Sequence, residues 1–166
     1  MSQISRESTQ RYMAHLPAPH PNRTDWQTFW HDKCLWIAKH RSTGCRLDVG
    51  AIAVDHDNIS IMETFNGPPS GFPHCGDVGC NVIDGHCIST LHAEENLYLL
   101  AARHGKSLTG GNIYLSHSPC VRCSPRLIQC KVSAVSYEFE YGPDIEAVKS
   151  IFHYANISLI PFRRSL

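Results

Sequence analysis

The chain has 166 residues, with 15 Lys and Arg against 15 Asp and Glu, so its formal net charge is zero. That length suits one domain able to bury a full core, and the balanced charge argues against a nucleic-acid binder, which carries a basic face or stripe. No apolar run approaches the roughly 20 residues of a membrane-spanning helix, and Met1-Ser2-Gln3-Ile4-Ser5-Arg6 lacks the apolar segment of a secretion signal. The 8 cysteines therefore read as metal ligands and buried thiols in a reducing cytoplasm, not as a disulfide framework.

Residues 1–24 are polar and then punctuated by Pro and His (Leu16-Pro17-Ala18-Pro19-His20-Pro21), which predicts an extended arm ahead of a single domain over 25–166. Thr24-Asp25-Trp26-Gln27 has a capping-box pattern and opens a helix. Trp26, Phe29, Trp30, Cys34 and Ile37 recur there at helical spacing, so one stripe should face a core, and Gly44 marks the end. Val49–Val54 and Ile59–Phe65 read as two strands joined by a polar turn, Asp55 to Asn58, hence a hairpin. A long Gly/Pro/Cys-rich loop follows, from Asn66 to about Ser89. A loop of that length is unusual in a compact domain unless something pins it, and Cys75, Cys80, His86 and Cys87 make metal the economical pin. A helix from His92 to His104, with Leu97, Leu100 and Ala101 inward, stops at Gly105. Strand Ile113–Ser116 leads into a short helix reaching Cys130, and strand Val132–Phe139 into a helix opened by Gly142-Pro143-Asp144, with Pro in its first turn. Strand Ile157–Ile160 and the basic tail Phe162-Arg163-Arg164 close the chain. This order predicts an α/β domain with a mixed five-stranded sheet and helices on both faces.

Two short motifs carry the chemistry. His92-Ala93-Glu94 opens one helical segment, and Pro119-Cys120-Val121-Arg122-Cys123 follows a strand and opens another. H-x-E followed by P-C-x-x-C is the signature of zinc deaminases. One imidazole and two thiolates, His92, Cys120 and Cys123, form a catalytic zinc set that leaves a fourth position to water and lowers the pKa of that water to roughly 7. Helix N-termini favour the thiolates. Glu94, two residues beyond the histidine, is placed to move protons without binding the metal. Glu95 reads as a surface residue, and His86 lies too far from His92 to share its helical turn.

The chain resembles deoxycytidylate deaminases of the bacterial and phage type. The resemblance is carried by Phe65-Asn66-Gly67-Pro68-Pro69-Ser70-Gly71, His74-Cys75, Gly79-Cys80, His86-Cys87 and His92-Ala93-Glu94-Glu95-Asn96, with Ser42-Thr43-Gly44-Cys45-Arg46 ahead of Val49-Gly50-Ala51. It spans about residues 25 to 160 and implies a cytidine-deaminase-like three-layer α/β/α sandwich. The implied reaction is dCMP plus water giving dUMP plus ammonia, which supplies thymidylate synthesis. Carried over by position, Asn66 contacts the sugar, Glu94 shuttles protons, Tyr141 lies by the base and Arg46 by the phosphate. A second, structural zinc is implied at Cys45, Cys75, Cys80 and Cys87, with His86 able to replace one of them. Cys45 stands one place after the family's usual cysteine, where this chain has Gly44, and Leu97 stands where a small residue is common. Homo-oligomers, often hexamers, and deoxynucleoside triphosphate effectors are also implied by the resemblance.

Three rival readings share parts of this pattern. A deaminase of deoxycytidine triphosphate would keep the same site. A deaminase of polynucleotide bases, tRNA adenosine or DNA cytosine, would need a basic groove with stacking aromatics, and the chain has no Lys/Arg run. A zinc-stabilised binding module would have no use for Glu94.

Overall fold

The computed structural model describes residues 23–44, 46–83 and 86–164. The expected arm over 1–24 therefore lies, up to residue 22, outside the described residues. Helix α1, Trp26–Arg41, starts one residue later than the capping-box pattern suggests: Asp25 is the N-cap, and its carboxylate accepts from the Thr28 amide at 2.9 Å. Trp30, Cys34 and Ile37 are buried as the spacing predicts, but Trp26 and Phe29 stand 49% and 42% exposed. They form an aromatic cluster with Trp30 at the outer edge of the helix and not a continuation of the core.

Strands β1, Gly50–Val54, and β2, Ser60–Phe65, form the expected antiparallel hairpin. Its turn is closed by Asp55, whose carboxylate accepts from the amides of Asp57 and Ile59, and by Asn58 at φ 60°. The predicted loop that follows is not structureless. It contains a short helix α2, Cys75–Val78, and a two-stranded ribbon, β3 Val82–Ile83 with β4 His86–Cys87. Helix α3, Ala93–Arg103, precedes β5, Asn112–His117; α4, Ser124–Gln129, precedes β6, Ala134–Phe139; and α5, Ile145–Tyr154, precedes β7, Ser158–Pro161. Pro143 lies just ahead of α5, whose N-cap is Asp144.

The main sheet has the order β2-β1-β5-β6-β7, antiparallel at its first two pairings and parallel at the last two. The strand period of two separates its faces. Ile52, Val54 and Tyr114 pack under α1 with Trp30, Cys34 and Ile37. Ala51, Ala53, Ile113 and Leu115 pack with Leu97 of α3, Leu127 of α4 and Phe152 of α5. One helix on one face and three on the other make three layers. Alanines at 51 and 53 let α3 sit close to the sheet, and on the opposite face a Cβ at Gly50 would come 2.4 Å from the Cys34 carbonyl oxygen, so α1 can reach this strand only over glycine. Among the described residues no helix is long and apolar enough to cross a membrane.

Candidate active site

The two motifs meet where β5 runs out. After His117 the chain turns through Ser118 and Pro119, and the amides of Cys123 and Ser124 both donate to the Cys120 carbonyl, at 3.1 and 3.0 Å, winding 120–123 into the turn that starts α4. His92 is the N-cap residue of α3 in an extended conformation, φ −66° and ψ 156°. Its amide donates to the Glu95 carboxylate at 3.0 Å. Glu95 is thus a capping residue and not the free surface group expected from sequence; a glutamate three residues after an N-cap was the available signal. Asn96 Nδ2 donates to the Phe65 carbonyl at 2.8 Å, and the buried Thr64 hydroxyl donates to the Ala93 carbonyl at 2.9 Å. These bonds lock the start of α3 onto the end of β2.

As a result His92 Nδ1 lies 3.6 Å from Cys120 Sγ and 3.5 Å from Cys123 Sγ, and the three donor atoms all fall within 4.8 Å of one another. With zinc bonds of about 2.3 Å to sulfur and 2.0–2.1 Å to nitrogen, a tetrahedral site puts sulfur and nitrogen about 3.6 Å apart, so the donors fit that ion. The electrostatics agree. Cys120 is held down at about 3, first by the Cys123 thiol beside it and then by His92, against the cost of burial. Cys123 is pushed up, by Cys120 first and burial second. A divalent cation is what lets both be thiolates. Glu94 is 3% exposed, and burial raises its carboxyl from 4.5 to about 7, opposed by its own backbone amide and by His92.

Glu94, His92 and Cys120 line one pocket with Asn66, Arg46 and Tyr141, so the residues singled out for substrate contact are brought to the same place. Arg46 is exposed and Tyr141 is 37% exposed at its mouth. Asn66 does more than face the pocket. Its Oδ1 accepts from the Val49 amide at 2.8 Å and the Ser42 hydroxyl at 2.6 Å, and its Nδ2 donates to the Leu47 carbonyl at 2.8 Å. It clasps the 42–49 loop that carries Arg46. A Cβ on Gly44 would lie 2.1 Å from Asn66 Nδ2, so glycine there is a condition of the clasp. Sequence reasoning missed Ser118, buried, whose hydroxyl accepts from the Tyr141 amide at 2.9 Å, and Thr90, which also lines the pocket.

A second group of sulfurs sits beside this pocket. Cys75, Cys80 and Cys87 converge within 4.8 Å, with the free thiols of Cys75 and Cys87 3.6 Å apart at Sγ, close to the roughly 3.8 Å of two sulfurs on one tetrahedral zinc. Cys80 is disulfide-bonded in this structure, against the expectation of metal ligands and thiols alone, and its sulfur becomes a ligand only when that bond is reduced. The Thr90 hydroxyl lowers the Cys87 thiol below its ordinary range. Cys45 and the side chain of His86, the other two residues expected there, lie outside the described residues.

Residues 24–139 match the family described as the cytidine and deoxycytidylate deaminase zinc-binding region. The chain belongs to this deaminase family. Among its relatives, the ComE operon protein 2 of Bacillus subtilis is 38% identical over 137 residues, covering 82% of this chain and 71% of that protein. The deoxycytidylate deaminase of Saccharomyces cerevisiae is 32% identical over 135 residues, 76% of this chain but only 42% of the yeast protein. The dCMP deaminase of the cyanophage S-TIM5, solved in complex with dCMP and dUMP, superposes with a TM-score of 0.73 at 27% identity, covering 84% of this chain and 98% of that one. The deaminase zinc-binding region thus includes both the H-x-E and the P-C-x-x-C segments and ends with β6.

Proposed function

We propose that this deaminase converts dCMP and water to dUMP and ammonia, as part of pyrimidine deoxynucleotide supply. The observation that supports this most is the meeting of His92, Cys120 and buried Glu94 in one pocket with Asn66, Arg46 and Tyr141, with Cys123 converging on His92 and Cys120 to complete the ligand set. Zinc held by His92, Cys120 and Cys123 supplies, when bound, a Lewis acid that brings water toward ionisation at neutral pH. Glu94 takes a proton from the attacking water and delivers it to the ring nitrogen beside the amino-bearing carbon. It then takes the remaining proton of the hydroxyl added to the ring carbon and passes it to the departing amine, so ammonia leaves and that hydroxyl's oxygen remains as the carbonyl of uracil. A positioned shuttle of this kind contributes about 10²- to 10⁴-fold. Asn66 has one amide hydrogen left for the sugar once the clasp is made. Tyr141 flanks the base, and Arg46 at the mouth takes the phosphate.

A second zinc at Cys75, Cys80 and Cys87, completed by Cys45 or His86, is read as structural because it pins the 66–89 segment against the pocket. Exposed apolar residues on α1 and on that segment, Trp36 at 60%, Phe72 at 62% and Val78 at 65%, suit contacts between copies of the chain, so a homo-oligomer is the expected assembly, working in the cytoplasm. An ammonia-release assay over deoxycytidine, its mono-, di- and triphosphates, cytidylate and a cytosine-bearing oligonucleotide tests the substrate. The highest kcat/KM is expected for dCMP. Preference for the triphosphate or the oligonucleotide would replace this reading, and titrating deoxynucleoside triphosphates into the same assay reads out an effector.

A further inference from the structure

Thr90 stands between the two groups of ligating side chains. Its hydroxyl lies 3.2 Å from Cys75 Sγ and 3.5 Å from Cys87 Sγ. A threonine hydroxyl has one proton to donate, directed here to Cys87 Sγ with Cys75 Sγ in reach of the same oxygen, so the group is suited to orient a ligating sulfur from outside the metal shell. The same residue lines the pocket with Cys87, His92 and Glu94. Only Leu91 separates it from His92, and Leu91 is fixed: it pairs with Gly67 through two backbone hydrogen bonds, of 3.0 and 3.1 Å. Alternate residues of an extended segment share a face, which is how Thr90 and His92 come to line one wall. The next amide, that of His92, is tied to Glu95. Thr90, Leu91 and His92 therefore form a short strut with no slack, braced by sulfurs at one end and by α3 at the other.

We propose that Thr90 is a positioning residue, which orients Cys87, beside Cys75, through its hydroxyl and transmits the state of that sulfur cluster to the His92 wall of the pocket. The proposal rests on the reading of the cluster as a second zinc site. Loss of the ion there frees Thr90, and the wall that presents His92 and Glu94 loses its outer brace.

The test compares zinc-loaded wild-type protein with Thr90→Val, which keeps the shape and removes the hydroxyl, and with Thr90→Ser, which restores it; Thr90→Ala serves as a second hydroxyl-free variant should the valine not fold. Zinc retained per chain is measured against a graded zinc chelator, with kcat and KM for dCMP recorded on the same samples. In Thr90→Val one of two ions should be held about 10- to 100-fold more weakly, kcat should fall as that ion leaves, and Thr90→Ser should recover both. Wild-type retention of both ions in Thr90→Val overturns the proposal. So does equal loss in Thr90→Ser, because the residue is then a packing methyl. A wild type that binds one ion per chain overturns it together with the second site. A wild type that binds two ions and shows the Thr90 effect on zinc, yet deaminates no deoxycytidine nucleotide, supports this proposal and removes the functional reading alone.

Discussion

Glu94 and Gly44 are each set by one short-range circumstance. The Glu94 carboxyl is buried under the start of α3, where burial raises it to about 7, a value suited to giving and taking a proton in neutral solution. Glu94→Gln keeps the shape and removes the proton. It should retain zinc and melting temperature while kcat for dCMP falls by about 10²- to 10⁴-fold, and an unchanged kcat would take the residue out of the chemistry. Gly44 is held to glycine by Asn66, whose Nδ2 lies 2.1 Å from where a Cβ would be. Gly44→Ala must therefore displace the amide that clasps Val49, Leu47 and Ser42. With each of those bonds contributing about 1 kcal/mol, the substitution should raise KM for dCMP and lower stability by roughly 1–3 kcal/mol; denaturant unfolding alongside kinetics checks both.

At the scale of elements, two arrangements position the pocket. The first is the turn from β5 into α4 with the N-terminus of α3, and it was legible in sequence because the spacing of H-x-E and P-C-x-x-C is local. The second is the segment between β2 and α3, and it was not. Two-residue strands and a four-residue helix are too short to leave a periodic trace, so only the cysteines marked the segment as pinned. The aromatic pattern of α1 was misread in part for a related reason. Helical spacing identifies a stripe but not which part of it meets the sheet, and Trp26 and Phe29 lie outside the cluster that Trp30, Cys34 and Ile37 form with Ile52, Val54 and Tyr114. Nor could sequence disclose the Asn66 clasp, whose partners lie 17 to 24 residues away. The sulfur cluster gives the element-scale prediction. Cys75→Ser should lower bound zinc by one ion per chain and reduce the melting temperature, with KM for dCMP affected less than either. Metal content and melting at wild-type values would mean that the segment is held by packing alone.

Across the whole molecule, α1 is fastened by the far end of the chain. The Phe162 ring stacks on His31 at 4.1 Å between centroids, and Arg164 donates to Glu138 at 2.6 and 3.1 Å and to Asp32 at 2.6 Å. His31 is fully buried, with Nε2 2.8 Å from the Ser136 hydroxyl and no partner for Nδ1 among the described residues. Burial lowers it from 6.5 to about 4; Glu138 and Asp32 oppose that shift and Arg164 adds to it. The sign follows from proton binding. Below 6.5 the unfolded chain takes up a proton that the folded chain refuses, so stability present above 6.5 is lost as pH falls toward 4, by at most roughly 3 kcal/mol. Urea midpoints between pH 7.5 and 4.5 should fall less steeply for His31→Gln than for the wild type. Parallel profiles would mean that another group carries the acid sensitivity.

The central claim is that one imidazole and two sulfurs hold a zinc ion on which turnover depends. It is tested most directly by stripping the reduced protein of metal and following ammonia release from dCMP as zinc is returned. The account predicts no turnover without metal, and activity that rises until the His92, Cys120 and Cys123 site is filled and then stays level. Full turnover by the metal-free chain, or none from a chain that has taken up its zinc, would contradict it.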